Sequence, residues 1–317
     1  MSRRCPVADR PTAGTLAAVT SVADVVAYLD GRYPPAWAED WDRVGLVVGE
    51  PEAPVNRVLC VVDCVPETVD EALALGADLI LAHHPLLLHG VSSVATTGAK
   101  GRVVHRLIRA GVALFVAHTN ADVAAPGVSD ALADRLGLVD LRPLVAAAGS
   151  ENGGPDGSQA PIGRRSDKLR GGRGTGRVGT LPVPTTLAGL AALAADRLPP
   201  TVWGVRAAGD PDRPVRSVAV CGGSGDAFLA DARRAGVDAY LTADLRHHVA
   251  SEYLAEGGPA LLDAAHWATE RPWLDRVAAQ LSADLGLPAV ASDLDTDPWT
   301  LQVASSQLPQ LAKEPSS

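Results

Sequence analysis

The segment "DLILAHHPLLLHG", residues 78–90, sets His83 and His84 side by side, directly after an apolar run and directly before Pro85, in a chain with eight histidines. One histidine at the end of a buried strand is an ordinary core residue. Two in succession are harder to absorb by packing, because each imidazole brings ring nitrogens that need a donor, an acceptor or a metal. Two more histidines follow apolar runs and have an acid four residues later: His118 with Asp122 in "LFVAHTNAD", and His266 with Glu270 in "LLDAAHWATE". Imidazole nitrogens with carboxylate oxygens suit zinc, iron or manganese, and do not suit an oxygen-seeking ion such as calcium. His83, His84, Asp122, His266 and Glu270 exceed what one catalytic ion needs, whereas two divalent ions sharing a carboxylate would use them all. Successive strand residues point to opposite sides, so His83 and His84 are expected to serve one ion each, with Pro85 holding His84 extended. His118 is open to two roles, further ligand or catalytic proton carrier, and the second is favoured because the other five already suffice as ligands. The glycines of "CGGSGDAF" read as a turn, with an anion cradle at a helix start as the alternative.

Elements that place these residues at one location are legible upstream and downstream of them. "SVADVVAYLD" predicts a helix capped by Ser21, with an acid at the third position. "RVLCVVDC", "DLILAHH" and "VALFVAH" read as strands, separated by helical "VPETVDEALALGA" and "GRVVHRLIRAG", a rhythm that implies a largely parallel sheet covered by helices. The pattern recurs at an offset of 160: Val58, Ala72, Gly76, Asp78 and Leu81 correspond to Val218, Ala232, Gly236, Asp238 and Leu241. The fold class expected is therefore α/β, with two related halves and central sheets whose carboxyl ends gather the histidines.

The division expected is a disordered tail over 1–20, a first half over 21–144, a flexible Gly, Ser and Arg-rich linker over 145–177, a second half over 178–303 and a disordered tail over 304–317. The 317 residues, 47% hydrophobic but only 4% aromatic, predict cores of small aliphatic side chains. A formal net charge of −9 argues against a general nucleic-acid binder, since such affinity rests on neutralising phosphates. Four cysteines without a CxxC pair fit reduced thiols, and no apolar run is long enough for a membrane span, so a cytoplasmic protein is expected.

Taken together, "WDRVGLVVG", "LAHHPLL", "AHTNAD", "GRVGTLP", "CGGSGD", "LDAAHWATE" and "DTDPWT" resemble the family of the yeast Ngg-type interacting factor, known as type 2 homologues of GTP cyclohydrolase I. The resemblance spans about residues 20–300. It implies intertwined α/β halves and a ring-shaped homo-hexamer whose dinuclear sites face an internal cavity. It further implies His83 and His84 as ligands to different metals, Asp122 and His266 as ligands, Glu270 as the bridge and His118 beside the metals. This chain departs from the family pattern with "DAAH" for "DAGH" and "TAD" for "TGD", and its central segment is too short for the extra domain of longer members. The activity implied is hydrolysis of a small-molecule substrate, a nucleotide such as GTP or a related phosphoester. The reading from another class is a metal-binding scaffold or metal chaperone without turnover. Trp267 and Trp273, which follow His266, are large apolar side chains that either a subunit interface could cover or their own subunit could bury.

Overall fold

The computed structural model describes residues 19–148 and 172–303. The 1–20 tail, apart from its last two residues, the middle of the 145–177 linker and the 304–317 tail lie outside them. Helix α1 (Val22–Arg32) begins as the sequence predicts: Ser21 Oγ accepts from the Asp24 N–H at 3.2 Å and Asp24 returns the bond to the Ser21 N–H at 2.8 Å. Strands β1 (Gly45–Val48), β2 (Val58–Val61), β3 (Leu79–Ala82) and β4 (Ala113–Val116) alternate with helices α2 (Pro66–Leu75) and α3 (Ala99–Ala110). After a single turn of helix, α4 (Thr119–Asp122), come α5 (Val128–Leu136) and the long hairpin strands β5 (Val139–Ala146) and β6 (Gly174–Thr186). The second run comprises α6 (Leu187–Arg197), β7 (Val205–Ala208), β8 (Pro214–Ser224), α7 (Leu229–Ala235), β9 (Ala239–Ala243), α8 (His247–Ala255), β10 (Ala260–Ala264), α9 (His266–Leu285) and β11 (Ala289–Ala291).

Two sheets result, in the orders β1-β4-β3-β2-β11 and β5-β6-β8-β9-β10-β7. Within each, three successive strands are parallel and an antiparallel strand closes the edge beside β4 or β10. The offset of 160 seen in the sequence holds in the register: Val58 pairs with Leu79, and Val218 with Ala239. The equivalent aspartates even do the same work, Asp78 accepting from the Asn56 N–H at 2.7 Å and Asp238 from the Arg216 N–H at 2.9 Å.

The halves exchange elements. β11, at the end of the second half, pairs in parallel with β2, while β5, from the first half, pairs with β6 in the second sheet. Division of the chain at 144 and 178 therefore differs from division by sheet. The ends of the segment read as linker are ordered strand, because Val145 and Ala146 pair with Thr175 and Gly174 and so satisfy their backbone groups.

Alternating side chains of the buried strands face opposite layers. Leu59, Val61, Ile80 and Ala82 pack with Val69, Ala72, Val103 and Leu107 of α2 and α3, whereas Val58, Cys60, Leu79 and Leu81 join the large core that also holds α1, α5, α6 and α9. That core continues to Val218, Val220 and Leu241 of the second sheet, whose outer face packs on α7 and α8. Trp267 and Trp273 are 5% and 0% exposed, so of the two readings it is burial within their own subunit that holds. Trp273 donates from Nε1 to the Tyr33 hydroxyl at 3.2 Å, which satisfies the one polar atom its burial strands. Cys60, Cys64 and Cys221 are buried free thiols. No helix among the described residues is long and apolar enough to cross a membrane.

Candidate metal centre

β3 ends at Ala82 and the chain bends there, with the His83 and His84 N–H groups still bonded to the carbonyls of Val61 and Val62. The opposite-side splay expected of the two histidines is accordingly not what forms. Their ring centroids lie 5.1 Å apart at 37°, and both Nε2 atoms converge on one carboxylate, Glu270. His83 Nε2 is 3.4 Å from Glu270 Oε1, His266 Nε2 is 3.1 Å from the same oxygen, and His84 Nε2 is 3.1 Å from Oε2. Asp122 Oδ1 approaches His83 Nε2 to 3.6 Å. This reach depends on α4, which turns the chain immediately after His118. His266 and Glu270 are a helical turn apart at the start of α9 and share a face.

Each ring has its other nitrogen occupied, which fixes both its orientation and its tautomer. Nδ1 of His83 donates to the Ala117 carbonyl at 2.9 Å, that of His84 to Asp63 at 2.8 Å, that of His118 to Asp42 at 2.9 Å and that of His266 to Asp244 at 2.6 Å. A histidine so anchored presents Nε2 as its free ligand atom, the arrangement usual around metal ions. Asp42, Asp63 and Asp244 were not singled out as site residues from sequence. Asp63 and Asp244 stand just past the carboxyl ends of β2 and β9, and Asp244 is the offset-160 counterpart of His84, which is the signal that would have found it. Asp42 had only its place in "WDRVGLVVG" to mark it.

Three buried atoms face this space with no hydrogen-bond partner: His83 Nε2, Asp122 Oδ1 and Glu270 Oε2. The short approach of His84 to Glu270 Oε2 lacks hydrogen-bond geometry, so the oxygen counts among them. An orphaned buried polar group costs about 1–3 kcal/mol, and more when charged, so three together mark a place built for something else. Ligands on one tetrahedral ion at about 2.1 Å stand about 3.4 Å apart, close to the spacing of these donors. Two groups within the described residues could hold a metal, His83 with His84 and His118, and His84 with His266 and Glu270. The donor set fits one. The glycines of "CGGSGDAF" serve this carboxylate: Gly223 has φ +68°, and a Cβ there would lie 2.4 Å from Glu270 Oε1 and 3.0 Å from His266 Nε2. Gly222 and Gly223 fall in β8 where its pairing with β9 is interrupted, and the anion cradle at a helix start does not form.

At His84, His266 and Glu270, charge within the cluster outweighs burial. Glu270 raises His266 to about 11, with Asp244 adding to the effect against desolvation. Burial would depress His84, yet Glu270 and Asp63 carry it to about 10. Burial likewise opposes ionisation of Glu270, but the three imidazoles hold its carboxyl well below the usual range. Asp122, with burial dominant, is pushed up. His105 lies on α3 and His247 and His248 open α8; none of these joins the cluster.

A two-sheet α/β protein with a carboxylate ringed by anchored histidines is thereby defined, and comparison with known proteins gives the class a family. Residues 20–298 match Duf34/NIF3 (NGG1p interacting factor 3), and the chain belongs to that family. It is 54% identical over 290 residues to the "GTP cyclohydrolase 1 type 2 homolog" of Streptomyces coelicolor, covering 90% of this chain and 95% of the relative. The relative of the same name from Mycobacterium tuberculosis is 39% identical over 368 aligned positions, covering 88% and 97%. That alignment is longer than this chain's 317 residues, so the mycobacterial protein has segments this one lacks. Among solved structures, a Bacillus cereus protein related to NIF3 superposes with a TM-score of 0.77 at 26% identity, over 90% of this chain and all of that one.

Proposed function

We propose that the protein is a dinuclear metal-dependent hydrolase acting on a nucleotide or related small molecule. His83, Asp122 and Glu270 would hold one divalent ion, and His84, His266 and Glu270 the other. The observation that carries this reading is the buried trio of His83 Nε2, Asp122 Oδ1 and Glu270 Oε2, which face one another without hydrogen-bond partners, with Glu270 reached from both sides. Zinc, iron or manganese ions bound there would supply Lewis acidity, acidifying water and polarising the bond to be cleaved. The chain's own residues do the rest. Asp63 and Asp244 hold the rings of His84 and His266, and Asp42 holds His118, whose ring stands 5.2 and 5.5 Å from those of His83 and His84. His118 moves the proton at Nε2, since Nδ1 is committed to Asp42. The nucleotide class draws support from the name of the relatives.

Metal analysis of the purified protein, followed by turnover assays on nucleotides, pterins and phosphoesters in each metal form, tests the reading. Absence of bound metal in every preparation, or full loading without turnover of any of them, overturns it. His118→Asn should cut turnover at least 100-fold, the lower range for general acid–base catalysis, with metal content unchanged. Parallel loss of metal would make His118 a ligand. The assembly proposed is the homo-hexamer implied by the family, and light scattering at micromolar concentration should give six times the 32.6 kDa chain mass; a monomer with full metal content refutes it.

A further inference from the structure

His84 and His266 open into a cleft of about 520 Å³, within the size range of small-molecule sites, that is also lined by Trp203, Arg206 and Trp299. The two indoles pack at 5.9 Å between centroids with 33° between planes, and Trp299 is 59% exposed. A large, exposed aromatic side chain beside a buried cluster of ligating groups is costly to leave facing water, and the segment that carries it is anchored close by. Trp299 is reached by the segment that follows β11, which Thr296 ties down by donating from Oγ1 to Asp63 Oδ2 at 2.5 Å. Asp63 is the same carboxylate that orients His84. The segment that carries the indole and the imidazole of His84 are thus tied to the same carboxylate.

Arg206 completes the surface. Its guanidinium lies 4.4 Å over the Trp203 ring, and its Nε and Nη2 bind Asp263 Oδ2 at 2.7 and 2.6 Å. Asp263 is itself held by the Leu245 N–H at 3.0 Å. The planar cation is therefore rigid, with Nη1 outside that pair, and it is the one Arg or Lys among the residues lining the cleft. Two indoles and a stacked guanidinium present flat, polarisable faces that suit a flat π-system, and a fixed N–H donor suits a ring carbonyl or nitrogen at its edge.

Resting on the hydrolase reading of the same site, we propose that Trp203, Trp299 and Arg206 form a stacking subsite for a flat heteroaromatic ring, a purine or a pterin, in the cleft shared with His84 and His266. The subsite selects substrates that carry such a ring and delivers the attached group toward the histidines. None of the three residues touches a candidate ligand, so ring binding and metal content are separable.

Calorimetric titration of the full-length protein, as purified and with its metal content measured, uses guanosine and pterin as probes and ribose 5-phosphate as the ringless control. Trp299→Ala and Trp203→Ala should weaken guanosine and pterin roughly 5- to 150-fold, the loss typical of removing one aromatic stack. Trp299→Phe should retain most of the affinity, and ribose 5-phosphate should be indifferent to all three changes. Metal content and assembled mass should stay as in the unaltered protein. Absence of ring binding to the unaltered protein, or equal binding to the alanine variants, overturns the subsite; so does a changed assembled mass in Trp299→Ala, which would make the surface a contact between subunits. If ring binding depends on the tryptophans but nothing is turned over, the subsite stands and the hydrolase reading falls. If a ringless phosphoester is hydrolysed and the alanine variants bind both ring probes as well as the unaltered protein, the reverse holds.

Discussion

At Glu270 a buried carboxylate stays ionised because three imidazoles surround it, and they in turn are protonated more readily because it is there. With His84 raised to about 10 and His266 to about 11, the metal-free site at neutral pH carries protons on the atoms that would bind ions. Metal must displace them, so uptake by the chelated protein should release protons and tighten as pH rises from 6 to 8. Calorimetry in buffers of different ionisation enthalpy measures the release, and a buffer-independent heat would contradict it. Glu270→Gln keeps the side chain's shape and removes its charge. The pKa values of His84 and His266 should then fall toward ordinary imidazole, visible in NMR titration, and bound metal should drop sharply. His105→Ala, remote on α3, should change neither quantity, and comparable metal loss in both variants would break the ligand assignment.

At the level of elements, the site depends on where strands stop. The β8 irregularity lets Gly223 sit at φ +68° against Glu270, so Gly223→Ala faces both a left-handed backbone cost of about 1–2 kcal/mol and a Cβ overlapping Glu270 Oε1. Metal affinity should fall at least about 10-fold with the far-UV circular dichroism preserved, and unchanged affinity would show that Glu270 does not need that space. Such local breaks also mark the limit of what a sequence reading reaches. The capping box at Ser21, the strand and helix order, and the offset of 160 were legible because they rest on short-range periodicity and capping chemistry. His83 and His84 meet at one site as their sequence context implies, but the direction of their rings does not follow strand alternation, because the strand has ended at Ala82. Asp63 and Asp42 were missed because their partners, His84 and His118, lie 21 and 76 residues away, and no local pattern announces a contact made only by the tertiary fold.

Over the whole molecule, neither half is complete alone. β11 fills an edge of the first sheet from the far end of the chain, β5 fills an edge of the second, and α5 packs on α9 across the exchange. Arg177 and Asp130 add an ion pair at 2.7 Å with both side chains fully buried, one from each side of residue 160. Arg177 also donates from Nη1 to the carbonyls of Gly174 and Gly176 and from Nη2 to that of Ala124, and removal of either charged partner would strand the other. The candidate ligands divide in the same way, with His83, His84 and Asp122 before the centre of the chain and His266 and Glu270 after it. A protease site engineered at residue 160 therefore gives a direct test. Cutting there leaves the strand pairings of the described residues intact, so the two fragments should co-elute under native conditions and retain the metal content of the uncut chain, separating only in denaturant. Because each fragment lacks a strand of its own sheet and part of the ligand set, neither should take up metal when expressed alone. Native separation of the cut fragments, or full metal binding by one of them, would show that the exchange of β5 and β11 does not hold the halves together and that the site does not need both.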